Sequence, residues 1–227
     1  MKKERIDKII ASQTALSRKE VVKYIRLGAL TVNGTVILSP DSKASPEEDE
    51  IIFRGNALSY QRHIYIMMNK PKGILSASSD KRAETVVDLL SPEFKSRNLL
   101  PAGRLDKDTT GFILLTDDGE FSHEILSPKN HIYKTYEAKL KNSLTEDEKA
   151  KLESGITLKD GQKFMPCKIN YIDGRKDFIE IKLHEGKFHQ IKRMLKFVDN
   201  EVLDLKRTKL GKLTIDNALN EGKYRLL

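Results

Sequence analysis

The fold is organised around the stretch Gly103-Arg104-Leu105-Asp106-Lys107-Asp108-Thr109-Thr110-Gly111, which is followed by Phe112-Ile113-Leu114-Leu115-Thr116-Asp117-Asp118-Gly119. Two glycines bound a short polar run, and an apolar run of strand-forming residues comes directly after it. The pattern predicts a loop that leads into a buried strand, with an Asp-Gly turn at the end of the strand. Asp106 is therefore expected on a loop that a sheet holds in place, which is a common position for catalytic groups.

From the residues alone, other roles for the two loop carboxylates stay open. Either Asp can simply cap the turn by bonding to its own backbone, as Asp often does in loops. Asp106, Asp108 and Gly111 also stand at the first, third and sixth places of an EF-hand calcium loop. That pattern then fails, because its ninth place is Leu114 and its twelfth is Asp117 in place of Glu.

Composition and charge predict two domains and a polyanionic partner. The chain has 227 residues, 38% of them hydrophobic, which suits a small and a large domain better than one minimal domain. Its 41 Lys and Arg exceed its 33 Asp and Glu, for a net charge of +8. A nucleic-acid partner is plausible on this ground, although many basic proteins bind none.

Several classes of site and location are excluded by the sequence. The single cysteine, Cys167, rules out an intramolecular disulfide framework, and the five histidines show no Cys/His spacing of a zinc site. No apolar run approaches the length of a membrane span, and the N-terminus lacks a signal core. We therefore expect no metal, no membrane association and a soluble cytoplasmic protein.

The first sixty residues predict two helices on a small sheet. Ser17-Arg18-Lys19-Glu20 is a capping-box sequence that opens the second helix, and Gly28 ends it. A hairpin follows around Asn33-Gly34, with a further strand at Ile51-Ile52-Phe53. Residues 1–30 hold eight Lys or Arg against three Asp or Glu, a net +5. The candidate phosphate contacts are Arg18, Lys19, Lys23 and Arg26, and the alternative is an ordinary solvated helix face.

The remaining residues predict an alternation of strands and helices. We expect a strand at 63–68, a short helix from Thr85 to Leu90, and a helix ending near Ser127-Pro128. A strand at 132–140 places Lys134 and Tyr136 on the same face. A helix that begins after Gly186 has Ile191, Met194, Leu195 and Val198 as its buried stripe. On these grounds alone, Tyr136 is a core residue, and Lys192 and Arg193 are surface charges.

The run from Gly103 to Gly111 closely resembles the active-site signature of the pseudouridine synthases. Asn69-Lys70-Pro71-Lys72-Gly73 is similar to their first motif, and Lys134-Thr135-Tyr136 resembles the second. Gly186-Lys187-Phe188-His189-Gln190-Ile191-Lys192-Arg193-Met194 resembles the third. The pattern from Arg5 through Ser17-Arg18 and Gly28 to Val32-Asn33-Gly34 resembles the S4 RNA-binding domain.

These resemblances imply roles for particular residues. Asp106 is the expected nucleophile, which acts on the sugar, on the uracil ring, or as a proton acceptor from the sugar. Tyr136 is expected to hold the target base, and Lys192 to pair with Asp106, although related enzymes carry Arg there. Arg104 is a candidate for filling the place of the flipped base. Arg104, Lys134 and Arg193 are the RNA-contact candidates of the second domain.

Over the full chain, the motifs resemble the ribosomal small-subunit pseudouridine synthase A family. The resemblance implies an α+β fold, with an S4-like domain at 1–56 and a catalytic domain at 63–227 built on a mixed, largely antiparallel sheet. It implies a cofactor-free isomerase that acts on 16S rRNA within a ribosomal subunit or assembly intermediate, and we expect a monomer. The alternatives are a large-subunit (23S) rRNA enzyme of the same family and a non-catalytic rRNA-binding assembly factor.

Overall fold

The computed structural model describes residues 3–94 and 96–227 of the chain. These residues divide into two compact units, the first within residues 1–64 and 87–99 and the second within 65–86 and 100–227. Residues 87–99 thus group with the first unit, which the sequence did not indicate. The domain boundaries predicted above, 1–56 and 63–227, stay a prediction.

The first unit combines short strands with two helices. In chain order its elements are β1 (Glu4–Arg5), α1 (Ile6–Gln13), α2 (Arg18–Arg26), β2 (Leu30–Val32), β3 (Thr35–Val36), β4 (Lys43–Ala44), β5 (Ile51–Phe53), β6 (Asn56–Ala57) and a 3-10 helix (Pro92–Phe94). Among its described residues, four strands form an antiparallel sheet in the order β3-β2-β5-β6, and β1 pairs with β4. Ile6, Ile10, Val21 and Ile25 of the helices are fully buried and pack with strand residues in one core.

Local signals in this unit produce the predicted geometry. The side chain of Ser17 accepts a hydrogen bond from the Glu20 backbone N–H, and Glu20 bonds back to the Ser17 N–H, so the capping box is confirmed. Asn33 and Gly34 have φ values of 51° and 78°, as the tight β2–β3 hairpin requires. The expected strand at 51–53 is confirmed as β5.

The second unit is organised around one large sheet. Its elements are β7 (Tyr65–Lys70), β8 (Leu100–Ala102), β9 (Thr110–Thr116), α3 (Gly119–Leu126), a 3-10 helix (Pro128–Asn130), β10 (Lys134–Leu140), α4 (Glu146–Glu153), β11 (Ile156–Thr157), β12 (Lys163–Phe164), β13 (Lys168–Ile172), β14 (Arg175–Leu183), α5 (Gln190–Phe197), β15 (Val202–Leu210), β16 (Leu213–Thr214) and β17 (Tyr224–Leu226). Within residues 65–86 and 100–227, nine strands form a sheet in the order β13-β14-β10-β15-β9-β7-β17, with β16 added to β15 and β8 to β9.

The sheet is mixed, as predicted. β9 and β15 run parallel, whereas the other neighbours in this sheet are antiparallel. Every residue of β9 is buried, which explains its continuous apolar run. Phe121 and Ile125 of α3 pack on the core formed by Phe112, Leu114 and Met67, so α3 covers one face of this central part. The α+β architecture expected from the sequence is therefore confirmed.

Two sequence predictions differ from the structure, and one strand was not predicted. Residues 86–89 form turns in place of the helix predicted from Thr85 to Leu90, because a six-residue segment closed by Pro92 is too short to gain helical hydrogen bonds. The Asp-Gly turn predicted at the end of the buried strand is the start of α3, where the Asp118 side chain caps the helix by accepting from the Phe121 N–H. β15, a nine-residue strand between β10 and β9, was not predicted at all.

Among the described residues, no helix combines the length and apolarity needed to cross a membrane.

Candidate active site

Asp106 lies on the loop between β8 and β9, as the quoted stretch predicts. Both glycines that bound the loop have positive φ, 90° at Gly103 and 98° at Gly111. A Cβ atom added at Gly111 would lie 2.3 Å from the carbonyl oxygen of Arg207 on β15. Glycine at 111 therefore lets the end of the loop pass directly against the neighbouring parallel strand.

A buried lysine, Lys70, holds the Asp106 loop through hydrogen bonds to its backbone. Lys70, at the end of β7, is fully buried, and its Nζ donates to the carbonyl oxygens of Pro71 at 3.0 Å and Thr109 at 2.9 Å. The carbonyl of Lys107 lies 3.4 Å from the same nitrogen. Burial lowers the pKa of Lys70 to about 8, although the nearby Asp108 and Asp106 carboxylates act in the opposite direction.

The segment after β7 makes further bonds to the same loop. The hydroxyl of Ser76 lies 3.1 Å from the Leu105 N–H, which donates to it, and 2.9 Å from the Leu105 carbonyl, which accepts from it. The Gly73 N–H donates to the Lys107 carbonyl at 2.8 Å. These bonds hold the residues on both sides of Asp106, so that its carboxylate is presented by a braced backbone.

Two side chains of the α5 region approach the Asp106 carboxylate, which is 29% exposed. Nζ of Lys192, on the first turns of α5, lies 3.6 Å from Oδ2 of Asp106. Nε2 of His189, the residue that precedes α5, lies 3.7 Å from Oδ1. The carboxylate therefore has a cationic group on one side and an imidazole on the other.

Lys192 makes its shorter contacts with the neighbouring acid, Asp108. Its Nζ donates to both carboxylate oxygens of Asp108, at 2.6 and 2.7 Å. The hydrogen bond from Lys192 holds the pKa of Asp108 below its usual value, although partial burial opposes this. Lys192 thus bridges the two carboxylates of the signature loop and does not serve Asp106 alone.

A pocket opens beside Asp106. Tyr136, on β10, is only 8% exposed and borders this pocket together with the carboxylate. The expectation that Tyr136 is a core residue and the expectation that it lines a site are thus both consistent with its position. The pocket is lined by Arg104, Leu105, Asp106, Thr109, Tyr136, Leu183, Gly186, Lys187, His189, Gln190, Ile191, Lys192 and Leu205.

The helix that carries Lys192 has the predicted stripe. Ile191, Met194 and Leu195 are buried, so Lys192 is held toward the Asp106 loop by the packing of α5 on the sheet. Val198 is only half-buried and lies at the C-terminal end of the helix.

The other basic residues predicted in this half have different surroundings. Arg104 is exposed at the rim of the pocket. Arg193 donates to Asp160 at 2.6 Å and to Gln162 at 3.0 Å. Lys134, predicted above as an RNA contact, is buried, and its Nζ donates to the His184 carbonyl.

Burial also changes the acidity of Lys134. The loss of solvent, and secondarily the nearby Arg207, lower the pKa of its amine. Because Lys134 is buried within a strand, its amine donates to a backbone carbonyl, that of His184, and not to water.

The predicted RNA-binding face belongs to the first unit. Arg18, Lys19, Lys23 and Arg26 are all exposed on α2. Arg18 also donates to both oxygens of the buried Asp7, at 3.0 and 3.1 Å. Burial tends to raise the pKa of Asp7, but hydrogen bonds from Arg5 and Arg18 outweigh it and leave the pKa below its usual value. Arg18 therefore has a structural task that the other three cations do not share.

Sequence reasoning did not single out Lys70, Asp108 or His189 as members of this site. Lys70 follows the strand predicted at 63–68 and precedes Pro71, a position that carries no sign of burial in the sequence. His189 does lie within the third motif, directly before Gln190, and its membership of that motif was the available sign that it belongs to the site. Within residues 3–94 and 96–227, no group of three or more His, Cys, Asp or Glu side chains is placed to hold a metal ion.

The chemistry open to this site is that of a positioned carboxylate. Asp106 can act as a nucleophile or a proton acceptor, because it is partly withdrawn from water, braced by its loop and close to the Lys192 ammonium. Tyr136 provides an aromatic side chain within the same pocket, suited to pack against a planar ring.

Known families match both halves of the chain. Residues 64–197 match the family described as RNA pseudouridylate synthase, and residues 4–51 match the S4 domain. A Bacillus subtilis (strain 168) protein named Uncharacterized RNA pseudouridine synthase YtzG is 44% identical over 225 residues, covering 98% of this chain and 94% of its own. Ribosomal small subunit pseudouridine synthase A of Haemophilus influenzae is 37% identical over 225 residues, with 98% and 95% covered.

A solved structure supports the same assignment. It is described as a crystal structure of pseudouridylate synthase, and it is similar to this chain with a TM-score of 0.68 and 37% identity. The similarity covers 99% of this chain and 96% of that one. These findings agree with the resemblances drawn from the motifs.

Proposed function

The chain belongs to the RNA pseudouridylate synthase family, and we propose that it converts a specific uridine of small-subunit (16S) rRNA into pseudouridine. The observation that carries the proposal is the meeting of three motifs at one pocket: Asp106 and Tyr136 both line it, with Lys192 3.6 Å from the Asp106 carboxylate. These residues are distant in sequence, and each stands at the motif position that the family resemblance assigns to chemistry. The choice of 16S rRNA is supported by relatives named for the small ribosomal subunit.

The proposed reaction is an isomerisation that needs no external group. The bond from N1 of uracil to C1′ of ribose breaks, the base rotates, and a bond from C5 to C1′ forms. The proton that leaves C5 is balanced by one gained at N1, so atoms and electrons are conserved. Asp106 supplies the reacting carboxylate, either by attack on the sugar or uracil ring or by taking a proton from the sugar. In each version the carboxylate has to be ionised and held at the pocket wall.

Lys192 acts as a positioning group in this proposal. Its ammonium lies 3.6 Å from the Asp106 carboxylate and 2.6 Å from that of Asp108, so it places a positive charge beside both and ties α5 to the loop. Because its contact with Asp108 is a direct hydrogen bond, it sets the loop conformation as well as the local charge. The buried Lys70 also stabilises the loop conformation, because its Nζ donates to the Thr109 carbonyl.

Tyr136 holds the base in this proposal. Its ring is nearly buried and borders the pocket, which suits packing on the face of a uracil taken out of its stack. The base has to leave the RNA stack because Asp106 lies on a recessed loop that a stacked base does not reach. Arg104, exposed at the rim of the pocket, is placed to contact the RNA backbone or to fill the vacated position.

The S4 domain is proposed to provide sequence-independent affinity for rRNA. Lys19, Lys23 and Arg26 are exposed on α2 and are suited to contact successive phosphates. The proposed substrate is rRNA within a ribosomal subunit or an assembly intermediate in the cytoplasm, with the protein acting as a monomer. A role in binding alone is less well supported, because it gives no reason for the braced carboxylate beside Tyr136.

Mapping of pseudouridines in 16S and 23S rRNA tests this proposal. RNA is compared from cells that lack the protein, from cells complemented with the natural protein, and from cells complemented with the Asp106→Asn variant. We expect one 16S position to lose its modification in the first and third strains and to keep it in the second. A missing modification in 23S rRNA would instead assign the large subunit, and identical maps in all strains would refute the enzyme proposal.

A further inference from the structure

Phe188 and His189 form an exposed aromatic pair at the edge of the candidate active site. Their ring centroids lie 3.8 Å apart with an angle of 17° between the planes, so the rings are stacked. Phe188 is 71% exposed, although a phenyl ring on the surface of a protein normally gains by burial. His189 borders the pocket and reaches to 3.7 Å from Asp106. The pair therefore extends from the carboxylate outward into solvent.

The loop that carries the pair is held firmly on both sides. Gln190 is buried and donates to Glu185 at 2.9 Å, and the Lys187 N–H donates back to the Gln190 side chain at 3.2 Å. Glu185 also pairs with Lys187 and accepts from the Met165 N–H. Phe188 is thus exposed because a braced loop presents it.

The surroundings of the pair favour a polyanion. Residues 186–212 contain eight Lys or Arg against three Asp or Glu, a net +5. Arg104, Lys187 and Lys192 line the pocket together with His189. An exposed aromatic ring within a cationic rim is the combination that binds unpaired nucleotides, because the ring stacks on a base while the cations meet the phosphates.

We propose that the Phe188–His189 pair is a stacking platform for a nucleobase adjacent to the target uridine in the RNA strand. This inference rests on the proposed function, since a uridine positioned at Asp106 leaves its neighbour in the strand at the mouth of the pocket. The neighbouring base stacks on the free face of the Phe188 ring, whose other face is covered by His189. The platform keeps the flanking nucleotide unstacked from its RNA neighbours and so stabilises the flipped-out arrangement.

The absence of tryptophan from the chain permits a direct spectroscopic test. The Phe188→Trp variant places a single indole at the platform, and stacking on a base quenches indole fluorescence. The matched control is Phe197→Trp at the far end of α5, where the residue is 44% exposed. With an unmodified 16S rRNA transcript as the probe, we expect at least twofold quenching at saturation for the first variant and little change for the second. Equal quenching of both proteins, or quenching of neither, overturns the platform.

Affinity measurements provide an independent test. Phe188→Leu keeps an apolar side chain without a ring, and we expect it to bind the transcript about tenfold more weakly, corresponding to the loss of one base–aromatic stack. Phe188→Tyr restores a ring and should bind within about twofold of the natural protein. Phe197→Leu is the matched control and should bind normally. Neither substitution at 188 should change the slope of log affinity against log salt, because no phosphate contact is removed.

The outcomes separate this inference from the proposed function. If the natural protein forms no pseudouridine while Phe188→Trp is quenched and Phe188→Leu binds weakly, the proposed function fails, and what stands is base stacking on Phe188 without a target uridine beside it. If pseudouridine forms while Phe188→Leu binds as well as the natural protein, only the platform fails.

Discussion

The ammonium of Lys192 lies 2.6 Å from Oδ1 of Asp108, so its direct partner is the second acid of the loop. The distance from the same nitrogen to Asp106 is 3.6 Å, which is longer than a hydrogen bond. In the structure Lys192 therefore acts on Asp106 through its charge and through the loop conformation that its bond to Asp108 maintains. Lys192 thus has two separate roles, its charge beside Asp106 and its hydrogen bond to Asp108. Substitutions at 192 and 108 test them one at a time.

The Asp108→Asn substitution tests whether Asp108 is needed for chemistry. The amide keeps the shape of the side chain but removes the charge that holds Lys192, which leaves the ammonium free to approach Asp106. We expect the single-turnover rate of pseudouridine formation to stay within about threefold of the natural rate, because the lost pair is partly exposed and weak. A loss as large as that caused by replacing Lys192 would show that Asp108 is essential.

Substitution of Lys192 tests the charge itself. Lys192→Met keeps the aliphatic stem, so packing should hold while both carboxylates lose their cation. We expect a rate reduction of about tenfold or more, because two charges at this distance attract each other by about 1 kcal/mol in bulk water and about 4 kcal/mol near a protein surface. Lys192→Arg should be milder, because it restores the charge with altered geometry. Equal rates for the natural and Met proteins would make Lys192 an ordinary surface residue.

Lys192→Met should also change stability at low pH in a defined direction. Lys192 holds the pKa of Asp108 below its usual value, so the pair stabilises the fold above the unfolded pKa of about 3.8. That contribution disappears as the pH falls through the lower folded pKa. The stability difference between the natural and Met proteins, measured by urea unfolding, should therefore be constant at neutral pH and shrink below about pH 4. Because Asp108 is mostly exposed, the difference should remain below about 1 kcal/mol.

Asp106→Asn should separate binding from chemistry. The substitution keeps the size of the side chain and the loop that presents it, so affinity for the rRNA transcript should stay within about twofold. Product formation should fall by at least about a thousandfold, as is typical when the reacting group of an enzyme is removed. Single-turnover assays and filter binding on the same preparation provide both values. Substantial turnover by the Asn protein would remove Asp106 from the mechanism.

Lys70→Met tests the buried amine beneath the loop. Burial lowers its pKa to about 8 from 10.5, so between these values the unfolded chain holds a proton that the folded protein has released. Stability from this group therefore rises with pH across that window, by roughly 3 kcal/mol in total. The Met variant should lack this rise. Urea unfolding of both proteins at pH 7.5, 9 and 10 measures the difference, and parallel pH curves would contradict the burial of a titrating amine.

A triple substitution tests the RNA-binding face of the S4 domain. Replacing Lys19, Lys23 and Arg26 with Gln removes exposed cations, while Arg18 is retained because it binds Asp7. The slope of log affinity against log salt should decrease in magnitude by up to about 2–3, since each phosphate contact contributes about 0.7–0.9.

The control for that experiment is a second triple variant of equal charge loss. It carries Gln at Lys129, Lys151 and Lys168, which are exposed in the second unit. Its slope should change clearly less. If the two triple variants lose the same slope, net charge and not the α2 face accounts for the binding. Removal of residues 1–56, a coarser change, should weaken binding and flatten the salt dependence while leaving the chemistry intact.

Features that depend on near neighbours in the chain were predictable. The capping box at Ser17, the Asn33-Gly34 hairpin, the Asp106 loop and the buried strand after it are each specified within a few residues. The buried stripe of α5 was predicted as well, since helix periodicity places Ile191 and Met194 on one face. The motifs also brought together Asp106 and Tyr136 before any geometry was known, through the resemblance they carry.

Short-range sequence patterns thus specify the local elements and the residue types of the site, whereas long-range packing selects the partners of those residues. β15 lies between β10 and β9 in the sheet, and a strand that mixes charged and apolar residues has no local sign of a central place in a sheet. Because they are buried, Lys70 donates to the backbone carbonyl of Thr109 and Lys134 donates to that of His184. The packing of α5 places Nζ of Lys192 2.6 Å from Oδ1 of Asp108. Such contacts join residues far apart in sequence, and they are set by the docking of whole elements rather than by the preferences of any single segment.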